Sequence, residues 1–364
     1  MQKENYSFIA IADMHLGCKL YNLPELEEDM KLLFVDICQL AITKKVNYIL
    51  MAGDLFNSNR PTPDLVKFVA DNVARLKEHG IRFLGICGDH DLPVNNETWV
   101  SVTGIESLSS APYFAGANYS TNQVEVFDRI REQASETVHW ILAHGQVQQL
   151  FKYVEDKKKL DFDSLKVFEL FPNIKGIILG DIHNPIETVV KSGDREAYMG
   201  YCGSAGITKS DEASNKKGLL YFDGETLQRI PLLQKRDFIK IQFTGIEANL
   251  NTQFYSLKYK DTKKKPVFIV EYDTTTESHL NQLKPLYEVG FVRAIQKRKM
   301  EEGQTEETIN IRSELKTGER IETVLRKCAK NQVIFDLGLK LLTSEDSNDA
   351  YKTELDTFKR KSFQ

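Results

Sequence analysis

No stretch of this chain is apolar for long enough to be read as a membrane span, and the polar start MQKENYSF leads into a short strand rather than a signal-peptide core. Cysteine is scarce and unpatterned. Cys18, Cys38, Cys87, Cys202 and Cys328 make an odd set of five with no CxxC pair, which fits reduced thiols in the cytoplasm and sets aside a disulfide framework. Positive charge is not in surplus: 48 Lys and Arg face 52 Asp and Glu, which argues against coating nucleic acid by bulk electrostatics but leaves room for a local basic groove. Internal repeats and low-complexity tracts are also missing.

What is present is an ordinary globular composition, 41% hydrophobic over 364 residues, enough for one large domain and one or two small ones. The first two thirds alternate short apolar runs with amphipathic stretches, the pattern of an α/β domain. In PELEEDMKLLFVDICQLAITKK the residues Met30, Leu33, Phe34, Ile37, Leu40 and Ala41 recur at helical spacing. A second helix is announced by Thr62 and Pro63 and ends at Gly80, and further helices are expected over Glu125 to Ser135 and Asp161 to Phe171. After Ile182 the texture turns to short strands, including EAYMGYCGS and GLLYFDGETLQRIPLL with a hairpin at Asp223-Gly224, which suggests a second sheet.

From about Lys235 a small α+β module is expected, with strands FIKIQF and PVFIVEY around a Lys263-Lys264-Lys265 turn, a helix over His279 to Tyr287 and a strand near Phe291 to Ile295. The polar stretch Met300 to Thr308 reads as a linker, and the apolar spacing from Ile321 to Leu342 as one or two amphipathic helices.

Five segments each run from apolar residues into metal-ligand side chains: FIAIAD with Asp13 and His15, YILMAGD with Asp54, FLGICGDHD with Asp89, His90 and Asp91, HWILAHG with His144, and IKGIILGDIH with Asp181 and His183. Loops at the carboxyl ends of strands in one sheet share an edge, so ligands placed there converge in space. Asp13 and His15 can turn toward one metal, and a carboxylate at Asp54, behind the small Gly53, can bridge two. Mixed imidazole and carboxylate donors suit Mn²⁺, Fe or Zn²⁺, and the carboxylate-rich half leans toward Mn²⁺ or Mg²⁺. Any one of these short motifs is common by chance; the ordered series is not. His79, His139 and His279 stand outside it and read as structural or surface residues.

The order D-x-H, GDLF, G-x-HD, H-G and G-x-I-H resembles the calcineurin-like metallophosphoesterase superfamily, and the stretches GDLFNSNRP, GDHDLP and YCGS resemble its SbcD type, relatives of the meiotic-recombination-eleven nuclease. That resemblance covers about residues 6 to 225. It implies two packed mixed sheets flanked by helices over residues 1–234, a capping and DNA-binding domain over 235–300, and C-terminal helices over 301–364 that dock on an SbcC-type coiled-coil ATPase. It further implies a homodimer acting on DNA with two divalent ions, Mn²⁺ first and Mg²⁺ as the alternative, in a bacterial cell or a phage-infected host.

Carried over residue by residue, the resemblance gives one metal to Asp13, His15, Asp54 and His183, and the other to Asp54, Asp89, His144 and Asp181. His90 becomes the catalytic imidazole, with Asp91 as its orienting partner. Two positions depart from the family pattern, which has asparagine at Asp89 and histidine at Asp181. Both make the second metal site more acidic, favouring a hard cation while weakening its Lewis acidity. A phosphatase or small-molecule phosphodiesterase of the same fold is the alternative activity, and a catalytically weak scaffold is the alternative of another class.

Overall fold

The computed structural model describes residues 4–92, 98–147, 150, 159–160, 164–243, 245–272 and 282–296. The expected C-terminal helices, with Ile321 to Leu342, lie outside the described residues, as does His279. The chain begins β1 (Phe8–Ile11), α1 (Pro24–Lys44), β2 (Tyr48–Ala52), α2 (Pro63–Glu78), β3 (Arg82–Ile86), α3 (Trp99–Val102), β4 (Glu106–Ser107) and β5 (Phe114–Gly116). It continues through α4 (Gln123–Arg131), β6 (Trp140–His144), β7 (Gln146–Val147), β8 (Lys159–Leu160), α5 (Ser164–Leu170), β9 (Gly176–Gly180), β10 (Glu187–Ser192) and β11 (Arg195–Tyr201). Then follow β12 (Gly218–Phe222), β13 (Leu227–Pro231), β14 (Phe238–Phe243), α6 (Gly245–Tyr259), β15 (Val267–Tyr272), α7 (Lys284–Val289) and β16 (Phe291–Gln296).

Two mixed sheets form the body, in the orders β13-β12-β1-β2-β3-β4 and β10-β11-β9-β6-β5. The period-2 alternation of each strand explains why they stack. Phe8, Ala10, Leu50, Ala52, Leu84 and Ile86 of the first sheet share one buried cluster with Phe114, Trp140, Leu142 and Ile178 of the second. Their neighbours point the other way. Ile9, Ile11, Ile49, Met51 and Phe83 meet the apolar faces of α1 and α2, while Ile141, Ala143, Ile177 and Leu179 meet α4 and α5. The result is the expected helix-sheet-sheet-helix layering. α2 starts where the sequence places it: Thr62 Oγ1 accepts from Leu65 N at 3.4 Å, and Pro63 occupies the first turn.

The strands after Ile182 do not make a second sheet by themselves. β10 and β11 extend the parallel core of β9, β6 and β5, whereas β12 and β13 pair antiparallel onto the edge of the first sheet at β1. In residues 238–296 the sequence missed a helix. β14, β15 and β16 are all parallel, and a parallel pair needs a crossover, which α6 supplies between β14 and β15. Its apolar pattern is weak, with Phe254 and Leu257 exposed, so periodicity gave no signal.

This third sheet rests on α1. Val267 and Ile269 bury against Leu26, Arg236 pairs with Asp29, and Lys264 Nζ lies 3.1 Å from Asp29 Oδ1.

Candidate metal centre

The loops that leave β1 and β2 continue their parallel pairing beyond the strands. Asp13 N donates to Gly53 O at 3.1 Å, His15 N to Asp54 O at 3.0 Å, Leu16 N to Leu55 O at 2.9 Å and Asn57 N back to Leu16 O at 2.9 Å. This short ladder sets Asp13, His15 and Asp54 side by side with almost no freedom. It also demands unusual backbone: Asp13, His15, Asp54 and Asp181 all have positive φ, at 49°, 44°, 57° and 98°. Non-glycine residues in that region cost free energy, and their concentration at one place marks a functional site. Gly53 is held at φ 93°, and a Cβ there would stand 2.2 Å from His144 Nδ1, so only glycine lets β2 end this close to the imidazole.

The second sheet delivers its ligands to the same edge. His144 is the last residue of β6, level with Gly180 of β9, and Asp181 and His183 follow β9 directly. Asp181 N donates to Asp13 Oδ1 at 2.9 Å, which joins the two sheets at the centre.

Among the described residues, four groups bring potential ligand atoms within 4.8 Å of one another: Asp13, His15 and His183; His15, Asp54 and His90; Asp13, Asp54 and His144; and Asp89, His144 and Asp181. Every ligand position expected from the sequence falls in one of them. Asp54 Oδ2 stands 3.6 Å from His15 Nε2 and 3.6 Å from His144 Nε2, between the two halves of the cluster. His15 Nε2 and His183 Nε2 lie only 3.0 Å apart, so their lone pairs converge on one point. Among the described residues, the buried Asp13 Oδ2 has no hydrogen-bond partner. Converging imidazoles and an orphaned carboxylate oxygen are what divalent cations would satisfy, and the donor set fits them.

The metal-free electrostatics agree. Burial raises Asp13 and Asp181 above the ordinary carboxylate range. Asp54 is pushed up to about 8, first by burial and then by Asp89 and Asp13, against the opposing charge of His144. Burial works against a charge on His144, yet its hydrogen bond to Asp89 and the charges of Asp54 and Asp13 prevail and raise it to about 10. Burial likewise opposes ionisation of Asp89, but His144 holds it down at about 2.

His144 has its orientation fixed by Nδ1–H donating to Ala52 O at 2.9 Å, leaving Nε2 toward Asp54 and Asp89, whose Oδ1 is 3.3 Å away. His90 is exposed on the rim, with its ring centroid 4.8 Å from that of His15. Its Nδ1–H donates to Asn57 O at 2.9 Å. The expected pairing of His90 with Asp91 is therefore corrected. Asp91 turns inward and is 3% exposed, its Oδ2 accepting from Leu55 N at 3.0 Å and Gly88 N at 3.3 Å, its Oδ1 from Phe56 N at 3.0 Å. These three backbone donors turn the carboxylate away from the rim, and the imidazole is held by Asn57 O instead; Asp91 ties the Asp54 loop to the Asp89 loop.

Two further elements went unseen in the sequence. Lys209 lines the cleft together with His15, Asp54, Asn57, Asp89, His90, Asp181, His183 and Thr208. Behind His183 lies a buried polar network in the turn Ser210–Ser214 and its flanks. Glu212 Oε1 is 2.5 Å from His183 Nδ1 and 2.9 Å from Thr208 Oγ1, and Oε2 accepts from Lys217 Nζ at 2.8 Å and Thr208 N at 3.1 Å. Burial opposes its charge, but His183 and Lys217 draw Glu212 below its ordinary range. TKSDEASNKKG reads as a polar loop, and nothing in its pattern betrays a buried ion pair. His139, outside the cluster, receives or donates a hydrogen bond with Tyr6 Oη at 2.8 Å, and His79 Nδ1 bonds Arg75 O at 2.9 Å, so both are structural.

Comparison with known proteins agrees with this geometry. The chain is 27% identical over 290 residues to the DNA double-strand break repair protein Mre11 of Sulfurisphaera tokodaii, covering 71% of each chain. It is 25% identical over 290 residues to the protein of that name from Methanocaldococcus jannaschii, covering 71% of this chain and 75% of that one. The Methanosarcina acetivorans protein of that name is 26% identical over 234 residues, and there the match spans only 37% of the relative's length. A solved dimetal phosphatase from Danio rerio matches 64% of this chain and 98% of its own at 11% identity and TM-score 0.41, too distant to bear on function. The family model for calcineurin-like phosphoesterases matches residues 6–196, more than half of the chain, and this protein belongs to that family.

Proposed function

We propose that the chain is a metal-dependent DNA nuclease, the catalytic subunit of an SbcCD-like recombination and repair complex. The observation that carries this reading is the pair of ligand groups joined at Asp54 and open to a cleft, in a chain similar to Mre11 proteins over most of its length. Asp13, His15, Asp54 and His183 would hold one ion and Asp54, Asp89, His144 and Asp181 the other, with Mn²⁺ preferred by the mixture of imidazoles and carboxylates. When bound, two such ions supply Lewis acidity and a water acidic enough to attack a phosphodiester.

The chain's own residues do the rest. His90, with Nδ1 committed to Asn57 O, keeps Nε2 for proton transfer to the leaving oxygen at the rim of the cleft. Lys209 brings a positive charge to a cleft whose other charged lining residues include Asp54, Asp89 and Asp181, where it would offset a phosphate's charge. Asp91 acts on the geometry alone.

In this reading residues 235–300 form the capping, DNA-binding module, and residues 301–364 dock on the SbcC-type ATPase. The protein works as a homodimer in the cytoplasm. Purified protein with Mn²⁺ is expected to degrade single- or double-stranded DNA much faster than it hydrolyses a p-nitrophenyl phosphodiester. Asp54→Ala should abolish both activities. Intact DNA cleavage in that variant overturns the site assignment, and a preference for the small ester points to a phosphatase of the same fold.

A further inference from the structure

The buried network behind His183 has no part in the metal ligation proposed above, yet it is built at considerable expense. Lys217 is 4% exposed and Glu212 3% exposed, a charged pair taken out of water. Such a pair does not persist for stability alone, because well-packed apolar residues would serve as well. Its arrangement points at His183. Glu212 accepts on both oxygens: Oε2 from Lys217 Nζ and Thr208 N, Oε1 from Thr208 Oγ1 and His183 Nδ1. Ser204 Oγ, 2.5 Å from Lys217 Nζ, and its bond to Gly206 O at 2.9 Å lock the lysine in place.

An imidazole nitrogen 2.5 Å from a carboxylate oxygen must carry the proton between them. The other nitrogen, Nε2, then presents its lone pair, and it does so 3.0 Å from His15 Nε2 at the candidate metal position. His15 has no such device among the described residues, where its buried Nδ1 is without a partner. Of the two imidazoles that meet at this point, His183 is therefore the one whose direction is set by a side chain outside the cluster.

Resting on the reading of His183 as a ligand, we propose that Glu212 is a positioning residue of the first metal site. It fixes the Nδ1–H tautomer of His183 and turns Nε2 toward the ion, with Lys217 and Thr208 holding the carboxylate in place. A carboxylate hydrogen-bonded to a ligating imidazole both orients it and raises its basicity, and loss of such a partner weakens metal binding about 10- to 100-fold.

The test reads metal and tautomer, not turnover. Nitrogen-15 spectra of the ring nitrogens in the metal-free protein should show His183 protonated on Nδ1, with no variant needed; an Nε2–H tautomer overturns the proposal. Titration of free Mn²⁺ by electron paramagnetic resonance should then show one of two sites weakened about 10- to 100-fold in Glu212→Gln. The double variant Glu212→Gln, Lys217→Met avoids a stranded buried charge, and it should show the same weakening with a normal melting temperature. Wild-type Mn²⁺ affinity at both sites in the folded double variant refutes the role. His183→Ala is the control that separates the two readings: if it too binds both ions normally, the ligand assignment has failed rather than the positioning role.

Discussion

Replacing Asp91 separates a structural acid from a catalytic one. Its carboxylate accepts from three buried amides, Leu55, Phe56 and Gly88, at 3.0, 3.0 and 3.3 Å. Hydrogen bonds to a charged group contribute roughly 1.5 to 3 kcal/mol each, so three set an upper bound of about 9 kcal/mol. The Gly88 bond is long and water can enter the space left by a truncated side chain, so Asp91→Ala is expected to lose about 4 kcal/mol. Asp91→Asn keeps the shape and one oxygen; placed toward Leu55 and Gly88, it leaves Phe56 N facing an amide donor, a loss of about 1 to 2 kcal/mol. Denaturant unfolding of the metal-free variants, followed by circular dichroism, measures both losses. Because His90 is held by Asn57 O and not by Asp91, Asp91→Asn should keep DNA cleavage within about tenfold of wild type under folded conditions. A hundredfold or greater fall in kcat at unchanged stability would show that Asp91 acts in the chemistry, and the correction drawn from the geometry would be wrong.

The metal-free centre should also bind protons that the ions displace. Asp54 at about 8 and His144 at about 10 both lie above their unfolded values, so their contribution to stability is full at low pH and is lost as pH rises through those values. Melting temperature without metal should accordingly fall from pH 6 to pH 9, while Mn²⁺ affinity climbs over the same range; calorimetry in buffers of different ionisation enthalpy will count the protons released. Gly53→Ala, whose Cβ would sit 2.2 Å from His144 Nδ1 at φ 93°, should destabilise the fold and cost a bound ion, read by metal stoichiometry at saturating Mn²⁺. Asp89→Asn removes one charge from the acidic half while keeping an oxygen donor, and is expected to raise the rate on DNA and lower Mn²⁺ affinity; an unchanged rate would mark Asp89 as a fully working ligand.

The layers of the fold were legible because strand alternation is local. Ile9 and Ile11 against Phe8 and Ala10, or Ile141 against Leu142, announce two buried faces in five or six residues of sequence. The eight carboxylates and imidazoles brought together were legible for a related reason, since each stands at or just past a strand end and the sheet edge does the gathering. What escaped was set by tertiary context. α6 carries exposed Phe254 and Leu257 and is required by the parallel pairing of β14 with β15, not by its own periodicity. The resemblance pairs Asp91 with His90, whereas Asp91 turns inward onto the amides of Leu55, Phe56 and Gly88 and His90 stays exposed on Asn57 O. Glu212 and Lys217 look like solvated charges because their burial depends on Ser204, Thr208 and His183 folding over them.

The backbone ladder from Asp13 to Asn57 divides the centre into a fixed half and an adjustable one. Asp13, His15 and Asp54 are locked in register by hydrogen bonds that a one-residue insertion in either loop would slip, so none of the three can change position alone. Asp89 and Asp181 lie outside that ladder, Asp89 with a side chain 44% exposed. These are the two positions at which the resemblance leads one to expect other residues, asparagine and histidine. On the proposed assignment, single substitutions at Asp89 or Asp181 would alter the second ion's surroundings while the backbone ladder under Asp13, His15 and Asp54 stays in place.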